Sequence, residues 1–218
     1  MEFDAAIFDL DGTILDSMDV WERIDILFLQ KRNLPVPENY VTEICARSFE
    51  EAAQYTIDIF DLQESVEDII TEWNDMAIIE YTYHVQPLPY VLDYLMRLKT
   101  CGTKLAIATG LPEKLYMPCL KNNSIIELFD ALCSTDEVQR GKEYPDVFEL
   151  AARKLKVAPE RCIVFDDVLP AIKSAKAVNM LTGGIYDKYS ADQRTQIEQI
   201  ADIYLLDFRE APIPQKEV

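Results

Sequence analysis

Apolar positions along the chain fall into two regimes. Short, mainly apolar runs cover residues 5–10, 104–109, 131–133, 162–165, 180–184 and 203–206. Runs of that length bounded by turn residues read as strands buried on both faces of a parallel sheet. Helix-period stretches separate them, through Val91, Leu92, Leu95 and Leu98, then from Pro145 through Phe148, Leu150, Ala151 and Leu155, then through Ile172 and Ala175. The stretch from Gly110 to residue 131 reads as a turn and a helix, and that from residue 133 to Lys142 as a loop.

Residues 18–83 carry a helical pattern alone. Val20, Ile24, Leu27 and Phe28 recur at helix spacing until Leu34-Pro35-Val36-Pro37, where the prolines break it. Ser48-Phe49-Glu50-Glu51 has the form of a capping box and starts a helix through Ala53, Ile57 and Phe60. Ser65-Val66-Glu67-Asp68 starts another, through Ile69, Ile70, Trp73, Met76, Ala77 and Tyr81. The expected architecture is α/β: a doubly wound, Rossmann-like parallel sheet over residues 1–16 and 87–218, with an all-helical insertion over 17–86. Only the tail, residues 212–218, reads as loose.

Chemistry gathers at the strand ends, where ligands of open α/β sheets bind. The first run closes on Asp9 and Asp11, two carboxylates crowded on one corner, which a hard divalent cation such as Mg²⁺ would relieve. Gly12 lets the backbone turn, and Thr13 offers an N–H and a hydroxyl to a phosphate. Thr109, with Gly110 beside it, closes a second run and suits phosphate oxygens. Lys142 precedes a helix and could be a point charge on an anion. Asp166 and Asp167 close a further run, so four carboxylates share one sheet edge, a self-repelling set without a cation.

The string D-L-D-G-T-I-L-D-S after an apolar strand resembles the first motif of the haloacid dehalogenase superfamily, in its phosphatase branch. K-x-x-P-D-V-F at Lys142 resembles the third, and order and spacing agree from Phe3 to about Leu206. The branch with an α-helical cap, which includes β-phosphoglucomutase and phosphoglycolate-type phosphatases, is the most similar. By that resemblance Asp9 is the nucleophile and Asp11 the general acid and base. Thr109 and Lys142 hold the phosphoryl group. Asp9, the Asp11 carbonyl and Asp167 ligate Mg²⁺, with Asp166 in or next to the set. The implied activity is hydrolysis of small phosphorylated metabolites through an aspartyl-phosphate, with a sugar-phosphate mutase as the alternative. The mutase-like members carry a histidine where this chain has Trp21, and often valine in place of Thr13; the single histidine here is His84. Other departures are Val168 and Ala171 after the fourth-motif acids, Glu143 after Lys142, Pro89-Tyr90 for a proline–glycine pair, and Asn179 for a helix-ending glycine.

Composition narrows the partners. A net charge of −18 argues against nucleic acid and anionic membrane surfaces. No basic, apolar leader opens the chain and no apolar stretch is long enough to span a bilayer, so a cytoplasmic monomer or homodimer is expected. The five cysteines form no C-x-x-C pair, which fits free thiols in a reducing compartment. The helical insertion holds 15 Asp and Glu against 4 Lys and Arg. One of the four, Arg47, precedes a capped helix and is the candidate for gripping a carboxylate or second phosphate of the substrate. The competing reading pairs it with Glu50 or Glu51.

Overall fold

The computed structural model describes residues 1–45 and 47–214, apart from the side chains of Thr42 and Cys45. Six strands form one sheet: β1 (Ala5–Phe8), β2 (Lys104–Thr109), β3 (Ala131–Ser134), β4 (Cys162–Asp166), β5 (Leu181–Ile185) and β6 (Ile203–Leu205). The helices are α1 (Val20–Lys31), α2 (Tyr40–Cys45), α3 (Phe49–Phe60), α4 (Val66–Tyr83), α5 (Val91–Thr100), α6 (Glu113–Asn122), α7 (Thr135–Val138), α8 (Asp146–Leu155), α9 (Leu169–Ala177) and α10 (Arg194–Ile200). The chain divides into two compact units, Met1–Met18 with Val85–Val218, and Asp19–His84. Among the described residues, no helix is long and apolar enough to cross a membrane.

In the first unit the strands pair in parallel in the order β3-β2-β1-β4-β5-β6. The doubly wound α/β reading holds. Alternation along β1 divides the core into two layers. Ala5 and Ile7 join α8 residues Val147, Phe148 and Ala151 and α9 residues Ala171 and Ala175 in one buried cluster. Phe8 points the other way. Its register partner on β4 is Phe165, and the two rings stack at 5.1 Å. Tyr94 and Phe208 close edge-on and tilted around them, and burying a side chain such as Phe8 stabilises by about 1.5–3 kcal/mol. Tyr94 Oη also donates to the Pro212 carbonyl at 2.9 Å, so the chain is tied down at 212, where a loose tail was expected; residues 215–218 of that expectation lie outside the described residues.

Chain order reverses direction across the sheet between β1 and β4, since β2 and β3 lie on one side and β5 and β6 on the other. That is the topological switch point, where the loops leaving the strands splay apart and leave a crevice. β1 ends at Phe8, two residues earlier than the apolar run suggests. The Leu10 carbonyl instead accepts the N–H groups of Thr13, Ile14 and Leu15 at 3.3, 2.9 and 2.8 Å, closing a tight turn.

The second unit is all helical. Both expected capping boxes form, Ser48 with Glu51 at α3 and Ser65 with Asp68 at α4. Helix α2 lies in a stretch that shows no clear helical pattern. It is six residues long and is held by Tyr40, whose ring is buried and whose hydroxyl meets Thr56 Oγ1 at 2.8 Å. In the first unit, α7 replaces the loop expected after β3, with the Ser134 N–H donating to Glu137 Oε1 at 3.1 Å. Asn179 takes the left-handed conformation at the end of α9, φ 61°, so it replaces glycine without losing the turn. Tyr90 does the same at the start of α5, φ 67°, at a steric cost that glycine would not bear. Cys101, Cys119, Cys133 and Cys162 are free thiols, and burial pushes the last up to about 12.

Candidate active site

The crevice at the switch point is walled by acids. Asp9 is the first residue beyond β1, and its N–H donates to the Phe165 carbonyl at 3.0 Å, which locks it against β4. Asp166 closes β4 and Asp167 follows it. Oxygens of Asp9, Asp166 and Asp167 lie within 4.8 Å of one another, and all three side chains are buried. Residues 157 positions apart in sequence thus share one corner of the sheet.

Among the described residues, one cation serves this set. Lys142 Nζ donates to Asp9 Oδ1 and to Asp166 Oδ2, the latter at 2.8 Å. Burial opposes its charge, but Asp166 and Asp9 outweigh burial and hold the ammonium above its ordinary value. The acids fare worse. Burial pushes Asp9 up to about 7 against the pull of Lys142, with Asp166 and Asp11 adding to the rise. Burial, then Asp166 and Asp9, push Asp167 up to about 8. Three buried carboxylates against one ammonium leave the corner short of positive charge.

A divalent cation fits that deficit. The donors are all hard carboxylate oxygens, the set Mg²⁺ prefers. Each Asp166 oxygen already accepts one hydrogen bond, Oδ1 from the Val168 N–H at 3.1 Å and Oδ2 from Lys142. Asp167 Oδ2 is buried with no hydrogen-bond partner among the described residues. A buried carboxylate oxygen left without a donor costs several kcal/mol unless a cation faces it.

Asp11 lies within the turn after β1 and is partly exposed, with Ser17 Oγ donating to its Oδ1. The Asp16 N–H donates to the Gln86 carbonyl at 2.9 Å and the Leu88 N–H to that of Ile14 at 2.8 Å, so this loop is stitched to the returning chain. Gly12 has φ +72°, and a Cβ there would lie 3.2 Å from Asp167 Cγ and Oδ2. Gly12→Ala should therefore strain the turn by about 1–2 kcal/mol and push Asp167 aside. A thermal melt should show a lower midpoint and a weaker response to added Mg²⁺. A variant matching the parent in both would refute this role for Gly12.

Thr109 is buried at the end of β2, and its Oγ1 accepts the Leu111 N–H at 3.0 Å. Its own proton is thereby directed to another acceptor. Gly110 is exposed with open space where a side chain would stand. Thr13 lies inside the turn that follows β1. Its N–H is taken by the Leu10 carbonyl, and its hydroxyl is buried with no partner among the described residues. Arg47 lies in the helical unit. Its guanidinium donates to Glu43 Oε2 at 2.8 Å and to the Glu43 carbonyl and lies 4.2 Å over the Tyr55 ring, so Glu43, not Glu50 or Glu51, is its partner. Ala46, in the same candidate segment, lies outside the described residues.

Two residues here escaped the sequence reading. Ser17 is the last letter of the first motif string, which was the available signal. Ser174, on α9, donates from Oγ to the Lys142 carbonyl at 2.5 Å and so anchors the loop that carries the lysine; no local pattern marks it.

A family model for haloacid dehalogenase-like hydrolases matches residues 6–185. Validoxylamine A 7'-phosphate phosphatase of Streptomyces hygroscopicus is 24% identical over 216 residues, 97% of each chain. Phosphorylated carbohydrates phosphatase of Thermotoga maritima is 23% identical over 177 residues, 81% of this chain and 82% of its own. Among solved structures, a candidate β-phosphoglucomutase from Thermotoga maritima superposes with a TM-score of 0.84 at 23% identity, over 94% of both chains.

Proposed function

The chain belongs to the haloacid dehalogenase-like hydrolase family, and from that premise we propose a Mg²⁺-dependent phosphatase that hydrolyses small phosphorylated metabolites through an aspartyl-phosphate on Asp9. The observation that carries the reading is the convergence of Asp9, Asp166, Asp167 and Lys142 on the switch point, with an Asp167 oxygen left without a donor. The phosphatase names of the two curated relatives support it.

In the proposed reaction Asp9 attacks phosphorus while the bond to the leaving oxygen breaks, and Asp11 delivers its proton to that oxygen. The hydrogen bond from Ser17 fixes one Asp11 oxygen, so the carboxyl holds a single orientation. In the second half Asp11 takes a proton from water, and the water oxygen displaces Asp9 from phosphorus. Lys142 and the Thr109 hydroxyl neutralise and orient the phosphoryl oxygens, which is most of what such a transfer needs. Mg²⁺, held by Asp9, Asp167 and the Asp11 carbonyl with Asp166 beside them, would supply charge stabilisation for the transferred group. A mutase must return the phosphoryl group to sugar, and Trp21 stands where mutase-like members have histidine.

Phosphate release from an aryl phosphate should require Mg²⁺, and full rate in excess chelator would sink the metal. With β-glucose 1-phosphate and its bisphosphate, net phosphate should appear; conversion to glucose 6-phosphate without it would establish the mutase instead.

Metal dependence should also appear without turnover. In the metal-free fold burial pushes Asp9 up to about 7 and Asp167 up to about 8, against an ordinary value of 3.8. Raised acids favour the folded state at low pH, and that contribution is lost as pH rises through the folded values. Metal-free stability should fall from pH 5 to pH 8, with Mg²⁺ raising the melting temperature little at the first and strongly at the second, where both carboxylates are charged. Melts at the two pH values, with chelator and with Mg²⁺, give the comparison. An equal Mg²⁺ shift at both would contradict the assignment of these acids as ligands.

A further inference from the structure

The helical unit contains a cavity of about 240 Å³ lined by Trp21, Asp25, Ile44, Arg47, Phe49, Ala52 and Trp73. Two of its polar groups have no partner among the described residues. Asp25 is 5% exposed on the buried side of α1, and neither a hydrogen bond nor a cation among those residues offsets its burial, which with Glu22 pushes the carboxyl up to about 7. Trp73, on α4, is 3% exposed and its indole N–H has no acceptor among the described residues. Such groups cost free energy unless a partner enters the cavity.

We propose that this cavity binds a polyol, the hydroxyl-rich body of a small molecule, through Asp25 and Trp73. A hydroxyl donates to a carboxylate and accepts from an N–H, so one kind of group satisfies both walls. An ammonium would leave the Trp73 N–H without an acceptor and would face the Arg47 charge. A second phosphate would meet the Asp25 carboxylate, and the guanidinium that could receive it is already held by Glu43. The remaining walls are aromatic: Phe49 meets Trp21 edge-on at 5.2 Å and Trp73 at 5.9 Å, presenting ring surface to the C–H faces of a carbon chain. Drug-sized sites span about 300–1,000 Å³, so this one admits a compact ligand and not a nucleotide.

Trp21 and Trp73 are the chain's two tryptophans, so indole fluorescence reports on the cavity alone. Unphosphorylated D-glucitol, titrated into the full chain in excess chelator, should change the emission saturably. Asp25→Leu should abolish that change while keeping or raising the melting temperature, because a buried unpaired acid is removed. Trp73→Phe, which keeps a ring and loses the donor, should weaken binding about tenfold. No saturable change with glucitol would mean the cavity holds water only and would overturn the proposal. So would equal binding by Asp25→Leu, or saturation by choline or inorganic phosphate in preference to glucitol. None of these readouts involves turnover or metal, so failure here is separable from failure of the phosphatase reading.

Discussion

Asp9→Asn should lower turnover of an aryl phosphate by about four orders of magnitude or more, the scale on which losing an attacking group acts. At the same time it should leave the melting temperature at pH 8 unchanged or higher. Asparagine has nearly the same volume, its backbone N–H still reaches Phe165, and its side-chain oxygen can still accept from Lys142. It lacks the nucleophilic charge. The corner that surrounds it is overloaded with buried negative charge, which is why burial, Asp166 and Asp11 push Asp9 up to about 7. Removing one charge relieves the others. Near-normal phosphate release by purified Asp9→Asn would end the covalent mechanism. A large stability loss with lost activity would mean the carboxylate is needed to hold Lys142, and would make the activity result uninformative about attack.

The parts of this corner differ in how plainly the chain announces them. β1, β2 and β4 lie inside the sheet, so their residues are apolar on both faces and read as continuous runs. The acids that follow β1 and β4 are legible for the same reason, as charges placed where an apolar run stops. α3 and α4 carry their starts in local capping boxes. α2 and α10 have no such signal. Each is short and held by few buried side chains, Tyr40 and Ile44 in one and Ile197 in the other, so tertiary packing and not periodicity makes them helical. Asp25 is the instructive miss. It lies on the buried stripe of α1 beside Ile24, Phe28 and Leu29, and a reading by polarity assigns it to the solvent face. Long-range pairs were equally hidden, since the contacts of Lys142 with Asp166 and Ser174 span 24 and 32 positions of chain.

Loss of Lys142 should have the opposite signature to loss of Asp9. Lys142→Met keeps most of the aliphatic stem and removes the ammonium, leaving Asp9, Asp166 and Asp167 buried without their cation. Breaking a buried pair from one side costs about 3–5 kcal/mol, and that loss should appear in urea melts at pH 8 in chelator. Activity should fall by about 10²–10³, the effect of deleting one group that stabilises developing charge. The stability loss should shrink toward pH 5, because Asp9 and Asp167 hold protons in the fold below about 7 and about 8 and the uncompensated charge disappears. Mg²⁺ should restore part of it at pH 8 by facing the same oxygens. The double variant Asp9→Asn/Lys142→Met should be more stable than Lys142→Met alone, since it removes a charge along with its partner. A loss that is independent of pH and Mg²⁺, and additive in the double variant, would show that Lys142 contributes packing rather than charge, and the electrostatic account of this corner would fail with it.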